Sequence, residues 1–287
     1  MVSLSFTRHT IPMIKILLLL FPLITLAQTF QYKRKELPLY EVGAGVGYAN
    51  LPYYEGAKER RSVTLPFPTF LYRGDIIRAD EDGGLRSRFK FSDSLELNAA
   101  FGFSLPVDSE IIEVRKGMDD LDTLFELGPG LIYHGLKITE DRPFSLSVNL
   151  AARYAMTTDL NFTKGQGWVL NPIVYSRIKM NKEYSGFLSV SQKWAEKSYQ
   201  QYYYDVEEKD QTNSREEYQA EGGVLSTRYA GFLAYQPNFK TSIAMGVIYF
   251  NYDNAANRES PLHVKDDNFS FILGFTYWFY QSEQTVN

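Results

Sequence analysis

The feature that most constrains the fold is the stretch from Asn268 to Phe279, in which every second residue is large and apolar. A period of two is typical of a β-strand with one apolar face. About ten residues of tilted strand are enough to cross the hydrocarbon core of a membrane. The stretch therefore predicts either the closing strand of an outer-membrane β-barrel or the inner face of a soluble β-sandwich. Its apolar set is Phe269, Phe271, Leu273, Phe275, Tyr277 and Phe279.

Composition favours the membrane alternative. The chain of 287 residues contains 21 Tyr and 20 Phe, an enrichment that fits aromatic girdles at the membrane interfaces. A mean hydropathy of -0.28 argues against a bundle of membrane helices. The absence of cysteine excludes a disulfide framework and a thiolate metal site. A net charge of -4 argues against a nucleic-acid partner, and no motif indicates a cofactor.

The N-terminus has the pattern of a secretory signal peptide. Cationic residues precede the apolar run from Ile16 to Leu26, and Ala27 ends a small-residue cleavage pattern. The apolar run is too short to span a membrane comfortably. Both Met1 and Met13 are candidate starts, because a complete signal begins at either one.

Eleven further stretches are predicted to be strands, most of them with the same alternation. Pro66 and Pro68 cannot donate hydrogen bonds, so their strand is predicted to be bent, bulged or locally unpaired. The predicted strands are Tyr40–Tyr48, Val63–Tyr72, Ile76–Asp80, Leu85–Phe91, Leu95–Ser104, Thr123–His134, Phe144–Tyr154, Trp168–Met180, Tyr184–Ser198, Val224–Tyr235 and Thr241–Asn251.

The connections alternate, with few exceptions, between long polar segments and tight turns. Outer-membrane barrels have long extracellular loops and short periplasmic turns, whereas a soluble sandwich has no reason for this alternation. We therefore predict an all-β fold, a transmembrane antiparallel up-and-down β-barrel in the cell outer membrane, with both termini in the periplasm. It has 12 strands if Ile76–Phe91 forms a membrane hairpin and 10 if that segment folds differently. The predicted parts are a signal peptide at 1–27, an N-terminal periplasmic segment at 28–39, the barrel at 40–279 and a C-terminal tail at 280–287.

The longest connection, Tyr199 to Gly223, is strongly acidic. We interpret it as a solvated surface loop in preference to a cation or partner site.

Charged residues recur in the register that faces away from lipid. Because buried charges must be matched, we expect cations and acids there to pair inside the barrel. A barrel of ten to twelve strands lies between filled small barrels and open porins, so a pore would be narrow or gated. The candidate lumen charges are Glu41, Arg86, Arg88, Lys90, Glu96, Glu126, Arg153 and Arg177.

Catalysis is not indicated. Beyond the signal peptide the only histidines are His134 and His263, which the predicted topology places on opposite sides of the membrane. That separation excludes a His pair, and a metal site is not expected.

Four stretches between Tyr40 and Phe279 have recognisable motifs. They are Pro52-Tyr53-Tyr54-Glu55-Gly56, Leu65-Pro66-Phe67-Pro68, Tyr203-Tyr204-Asp205-Val206 and a loop with Arg115, Gly117, Met118, Asp120, Leu121 and Asp122, which Glu126-Leu127-Gly128-Pro129 follows. Together they resemble the MltA-interacting protein (MipA/OmpV) family of Gram-negative outer membranes. The most specific match is the last one, which resembles the family's R-x-G-M-x-D-L-D and E-x-G-P segment, and we call its first part the family-motif loop.

In the family-motif loop Arg115 is expected to pair with the neighbouring acids, and calcium binding is an alternative to simple packing. The tail beyond Phe279 departs from barrels that end on their last aromatic residue.

The resemblance implies a non-enzymatic outer-membrane barrel in contact with membrane lipid and lipopolysaccharide. In some members it implies a scaffold for murein-remodelling enzymes, joining a lytic transglycosylase (a murein hydrolase) to a penicillin-binding protein (a murein synthase). Other members are porin-like, so a narrow channel for small solutes is the alternative. Any scaffold surface is expected to include Gly135–Pro143, the largest of the predicted periplasmic turns.

Overall fold

A computed structural model describes residues 37–74, 77–80, 84–87, 89–92, 94–138, 144–158 and 163–286, with side chains undescribed for 77–80, 84–87 and 89–91. Antiparallel β-strands dominate it. The strands are β1 (Leu37–Pro38), β2 (Tyr40–Pro52), β3 (Arg60–Arg73), β4 (Ile77–Asp80), β5 (Gly84–Ser87), β6 (Phe89–Ser92), β7 (Leu95–Ser104), β8 (Thr123–Ile138), β9 (Phe144–Thr158), β10 (Thr163–Lys179), β11 (Tyr184–Ala195), β12 (Gly223–Asn238), β13 (Thr241–Asn251), β14 (Asp267–Gln281) and β15 (Thr285–Val286). The described helices are α1 (Lys197–Tyr204) and three single 3₁₀ turns at Ser109–Ile111, Glu113–Arg115 and Glu208–Asp210.

The barrel wall is one continuous antiparallel sheet in the order β5-β4-β3-β2-β14-β13-β12-β11-β10-β9-β8-β7-β6. Its two outer members, β5 and β6, are consecutive in the chain and separated only by position 88. The sheet therefore returns to its own start, and the predicted up-and-down β-barrel is confirmed.

The strand number depends on how the short strands are counted. In the described part of the wall, β4, β5 and β6 have four residues each, whereas the remaining ten strands have 10 to 17. The β4–β5 pair is the hairpin predicted between Ile76 and Phe91. Taking β5 and β6 as two parts of one strand yields the predicted twelve.

The last long strand, β14, behaves as its alternation predicts. It pairs with β13 on one side and with β2 on the other, from Phe271–Asn50 to Gln281–Glu41. Its six alternating apolar side chains are 42% to 58% exposed on the outer face, whereas Ser270 and Thr276 are buried on the inner face. Hydrophobic residues that point outward from a closed sheet suit contact with lipid.

The proline-containing strand, β3, is regular along its edge with β2. It pairs with β2 from Tyr40–Tyr72 to Pro52–Arg60 without a register shift, so the predicted bulge is wrong. On its other edge the described pairing, with β4, is limited to Tyr72 and Arg73. The alternatives of a bent or a locally unpaired strand stay predictions.

Long and short connections lie at opposite ends of the barrel, as predicted. We call these the loop end, with loops at 53–59, 105–122, 196–222 and 252–266, and the turn end, where the tight turns lie. Two predicted boundaries are wrong. The strand from Tyr184 stops at Ala195 and α1 follows, and β9 and β10 continue into the predicted loop Met156–Gly167.

Residues beyond Phe279 are ordered parts of the turn end. β14 continues to Gln281, and β15 then pairs with β1 in a small two-stranded sheet. The Leu39 amide donates to the Gln284 carbonyl at 2.7 Å. None of the described helices is both long and apolar enough to cross a membrane.

Candidate functional site: the closed loop end of the barrel

The four long loops pack together at the loop end around one hydrophobic cluster. We call this assembly the loop plug. Its side chains are as buried as those of a soluble core, and they rest on Leu124, Val169 and Leu225 of the strands below. The loops are therefore folded against one another. The buried loop residues are Tyr54, Ala57, Val107, Ile112, Leu121, Tyr199, Tyr203, Tyr204, Val206, Ala220 and Leu262.

The interpretation of Tyr199–Gly223 as a solvated loop is wrong for its first part, because that part lies in α1. Tyr199 and Tyr203 are four residues apart and share the buried face of the helix. The Tyr204 hydroxyl donates to the Glu55 carbonyl at 2.8 Å, which ties α1 to the loop between β2 and β3. The acidic charge lies further along, where side chains from Glu207 to Glu217 are mostly exposed.

α1 is also fixed to the last loop by side-chain amides. The Asn257 amide donates to Gln200 Oε1 at 3.0 Å and to the Glu221 carbonyl at 2.8 Å. Gln200 in turn donates to the Gly223 carbonyl at 3.1 Å. Buried amides whose hydrogen bonds are made hold the loops in one arrangement.

The family-motif loop packs into the plug, with Arg115 and Leu121 buried and Met118 against the cluster. The expected ion pair of Arg115 with the acids is wrong. Its guanidinium donates to the main-chain carbonyls of Tyr203 at 3.1 Å and Asp119 at 3.2 Å. The carboxylate of Asp120 instead accepts from the Ser109 amide at 2.8 Å.

The remaining motif residues shape the same loop. Gly117 has a positive φ of 80°, a conformation that glycine adopts without strain. The main-chain carbonyl of Asp122 accepts from the Tyr202 hydroxyl at 3.3 Å.

Directly beneath the plug lies a buried charge cluster centred on Glu126 of β8. Its carboxylate accepts from Arg153 Nε of β9 at 2.8 Å and from Lys193 Nζ of β11 at 2.7 Å. The Tyr199 hydroxyl of α1 donates to the same carboxylate at 3.1 Å and accepts from Lys193 at 2.6 Å. The structure thus brings together two predicted lumen charges, Glu126 and Arg153, and adds Lys193 and Tyr199, which sequence reasoning missed.

A second buried pair joins the plug to the wall. Arg228 of β12 pairs with Glu55, and its guanidinium lies 5.1 Å from the centre of the Phe250 ring. Sequence reasoning missed Arg228, although the alternation of β12 places it on the inner face. The sequence analysis included Glu55 only as part of the stretch Pro52–Gly56, which resembles the family, and did not predict that it pairs with a charge.

The other predicted lumen charges are distributed toward the turn end. Glu41 pairs with Arg73 at 2.8 Å and accepts from Gln281 at 2.6 Å. Glu96 lies 3.2 Å from His134 Nε2. The Arg177 guanidinium lies 5.2 Å from the centre of the Tyr175 ring. The side chains of Arg86 and Lys90, and Arg88 as a whole, lie outside the described residues.

The tyrosines of the plug are uncharged hydrogen-bond donors. Burial raises the pKa of Tyr203 to about 12 and raises the pKa of Tyr199 and Tyr204 well above the ordinary value. These hydroxyls therefore keep their protons at physiological pH, and their role is to satisfy carboxylates and carbonyls within the plug.

The two histidines lie at opposite ends of the barrel, as predicted: His134 near the turn end and His263 in the plug. Within the part of the chain that the structure describes, no three His, Asp or Glu side chains are grouped so that they could hold a metal ion. The contacts of Glu126, Arg153 and Lys193 are to one another and to neutral protein groups. What the arrangement does physically is to hold the loops over the barrel mouth.

We expect Glu126→Gln to lower the free energy of unfolding by about 3–5 kcal/mol, because Arg153 and Lys193 would be left buried without their counter-charge. The double variant Glu126→Gln/Lys193→Met should lose less than the sum of the two single losses. The measurement is urea unfolding in lipid vesicles.

The matched control is Lys197→Ala, which removes an exposed ion pair with Glu221; we expect a change within about 1 kcal/mol. Equal effects of Glu126→Gln and Lys197→Ala would contradict the assigned role of the cluster.

The loop plug should loosen in mild acid through His263. Burial lowers the pKa of this imidazole below the ordinary 6.5, and its Nε2 donates to the Lys265 carbonyl at 2.9 Å. Protonation would place a second proton on the buried Nδ1, for which no acceptor is present in the described structure. Because the pKa of His263 is lower in the folded than in the unfolded state, neutral His263 favours the folded loop fully at a pH above the unfolded-state pKa. This contribution to stability is lost as the pH falls below that pKa.

Limited proteolysis of the loop at 252–266 between pH 7.5 and pH 5 measures this effect. We expect cleavage to rise with acidity in the unmodified protein and to be much less dependent on pH in His263→Phe, whose ring can keep the stacking on Tyr204. Identical pH profiles would show that another group is responsible.

Comparison with solved structures returns outer-membrane proteins at low similarity. The NanC porin shares 12% identity over 83% of this chain and 98% of its own, with a TM-score of 0.36. The Ralstonia pickettii toluene transporter TbuX shares 10% identity over 84% of this chain and 89% of its own, with a TM-score of 0.31. A Pseudomonas aeruginosa FadL homologue shares 11% identity over 88% of this chain and 96% of its own, with a TM-score of 0.33.

A comparison with curated proteins finds no match. The sequence profile described as "MltA-interacting protein MipA" matches residues 42–279. That range includes all four loops of the plug and the ten long strands of the wall, apart from the first two residues of β2 and the last two of β14. The chain therefore belongs to the MipA family and is an outer-membrane β-barrel protein.

Proposed function

We propose that this protein is a non-enzymatic scaffold of the outer membrane, with its turn end and both termini in the periplasm, that binds murein-remodelling enzymes there. The observation that carries the proposal is the closed loop end. Four loops share one hydrophobic cluster across the barrel mouth, and the charges beneath them are paired.

The closed mouth favours binding over steady conduction. A channel for charged solutes needs side chains that can exchange their partners for the solute. Glu126 has its carboxylate oxygens committed to Arg153, Lys193 and the Tyr199 hydroxyl. A narrow porin-like channel for small solutes remains the alternative, and it requires the loop plug to move.

The turn end offers a folded surface on which a partner can dock. The β1–β15 sheet is attached to the barrel through Arg73, whose guanidinium donates to the Pro38 carbonyl at 2.7 Å and pairs with Glu41. Exposed apolar side chains at the same end include Leu136, Ile138, Met180 and Phe239. Leu136 and Ile138 belong to the segment expected to contribute to a scaffold surface; its residues 139–143 lie outside the described structure.

The partner chemistry follows from the family description, which names interaction with MltA. We propose a lytic transglycosylase, a murein hydrolase, as the first partner and a penicillin-binding protein, a murein synthase, as the second. Lipid and lipopolysaccharide are proposed to cover the apolar outer face.

We expect truncation after Gln281 to weaken capture of a purified MltA-type lytic transglycosylase at least tenfold, equivalent to about 1.4 kcal/mol. The truncation removes β15 and so leaves β1 without its strand partner, whereas it keeps the Gln281–Glu41 contact and the whole of β14. Binding is measured by surface immobilisation of the folded barrel in nanodiscs.

The control is Lys209→Ala, an exposed change at the loop end, which should leave binding unchanged. Absence of binding by the unmodified protein would refute the scaffold proposal. Unchanged binding by the truncated protein would remove the β1–β15 sheet from the partner surface.

A further inference from the structure

The outer face of the barrel carries a groove that crosses five strands, from β9 to β13. Its volume is about 510 Å³, which lies within the range of about 300–1,000 Å³ for ligand pockets. The side chains that line it are uncharged, and most of them are aliphatic or aromatic. The groove follows a row of register partners on the outer face, which are Leu146, Ser176, Leu188, Gly231 and Val247.

The groove owes its depth to Gly231 of β12. This residue is not among the glycines with a positive φ. A Cβ at this position would lie 3.5 Å from Leu188 Cδ2, an ordinary contact distance. Neither the backbone conformation nor crowding therefore requires a glycine here, although glycine weakens the interior of a strand. What the missing side chain provides is space on the outer face.

The groove is long and narrow and runs diagonally across the wall. Leu146 lies near the turn-end start of β9, and Tyr249 lies near the loop-end finish of β13. Four steps between neighbouring strands, each about 4.8 Å, give a length of roughly 19 Å. On β10, β11 and β12 the lining takes in only three consecutive residues each, about 7 Å of strand. Because half the hydrocarbon core is about 15 Å thick, this shape matches one extended acyl chain of a single leaflet.

The loop-end limit of the groove is acidic. Tyr229 and Tyr249 line the groove there, with their ring centres 6.1 Å apart. The Tyr249 hydroxyl donates to Asp267 Oδ2 at 3.4 Å. A carboxylate at this level repels the phosphate of a lipid headgroup.

The turn-end side has the opposite balance of charge. Lys179 is the last residue of β10, and the exposed Lys182 lies in the turn that follows, with Glu183 as the acid of that turn. The rings of Tyr184 and Tyr235 stack with centres 4.7 Å apart next to this turn. Aromatic residues at the end of a barrel strand mark the headgroup level. The lysines therefore lie where the phosphate of a phospholipid would lie.

From these observations we infer that the groove from β9 to β13 is a binding site for one acyl chain of a phospholipid whose phosphate lies at the turn end. The aliphatic lining matches the chain, and Lys182 matches the headgroup. The site deepens the proposed lipid cover of the outer face and rests on the proposed periplasmic position of the turn end. It does not depend on binding to murein-remodelling enzymes.

Retention of lipid by the purified protein tests the site. The full-length folded protein is reconstituted in vesicles of phosphatidylethanolamine and lipopolysaccharide, extracted in a mild detergent and analysed by native mass spectrometry. Gly231→Leu fills the groove from β12, and Ser176→Leu fills it independently from β10. The control Ala44→Leu adds the same bulk at an exposed outward position of β2, outside the groove. Heat-modifiable gel mobility verifies that each variant is folded.

We expect the unmodified protein and Ala44→Leu to retain a phosphatidylethanolamine molecule. Gly231→Leu and Ser176→Leu should retain at least about tenfold less, because the added side chain takes the place of the acyl chain in its apolar contacts. Capture of the lytic transglycosylase should be unchanged in these variants, which separates the site from the scaffold role. Equal retention by all four proteins, retention of lipopolysaccharide instead, or an unmodified protein that retains no lipid would overturn the inference.

The position of the headgroup has its own pair of variants. Lys182→Ala should lower retention about threefold, whereas Lys240→Ala, in the turn between β12 and β13, should leave it unchanged. Equal retention by these two variants would contradict the assigned end of the groove.

Discussion

Every backbone N–H and C=O within the hydrocarbon layer has to find a hydrogen-bond partner in the protein itself. This constraint explains why β14 pairs with both β13 and β2, and why β5 and β6 bring the ends of the sheet back together. Pro66 and Pro68 are compatible with this constraint. They pair in register with Val46 and Ala44 of β2, and neither proline has an N–H that would need a partner.

Closure of the wall determines how charge is buried inside it. The register of β8, β9 and β11 brings Glu126, Arg153 and Lys193 to one level. α1 then places the Tyr199 hydroxyl against the same carboxylate. The hydrophobic cluster of the loops lies directly above these charges. The loop plug is therefore stabilised in two ways, by the hydrogen bonds of Tyr199 to the charge cluster and by the burial of its own tyrosines. A barrel with the same strands and free loops would leave Glu126 and its two cations without this cover.

The wall could be predicted from sequence because side-chain direction in a strand depends only on residue parity. The alternation from Phe269 to Phe279 and the inward direction of Arg153 follow from that rule. The pairing of β14 with Tyr40–Tyr48 follows from the alternation of long and short connections, which requires the last strand to close the barrel against the first. The contacts of the plug could not be predicted, because parity tells which face a residue is on and not which residue stands opposite. Lys193 meets Glu126 only through the registers of three strand pairs, and Arg228 meets Glu55 only through the course of a loop. α1 is short and polar overall, so the only sign of its buried face in the sequence is the four-residue spacing of Tyr199 and Tyr203.

The central claim is that paired charges and packed loops close the barrel mouth. Planar-bilayer recording tests it most directly, with purified protein shown to be folded by its heat-modifiable gel mobility. The structure predicts no steady conductance from the unmodified protein in salt solution at neutral pH. A stable ohmic conductance from the same preparation would contradict the account.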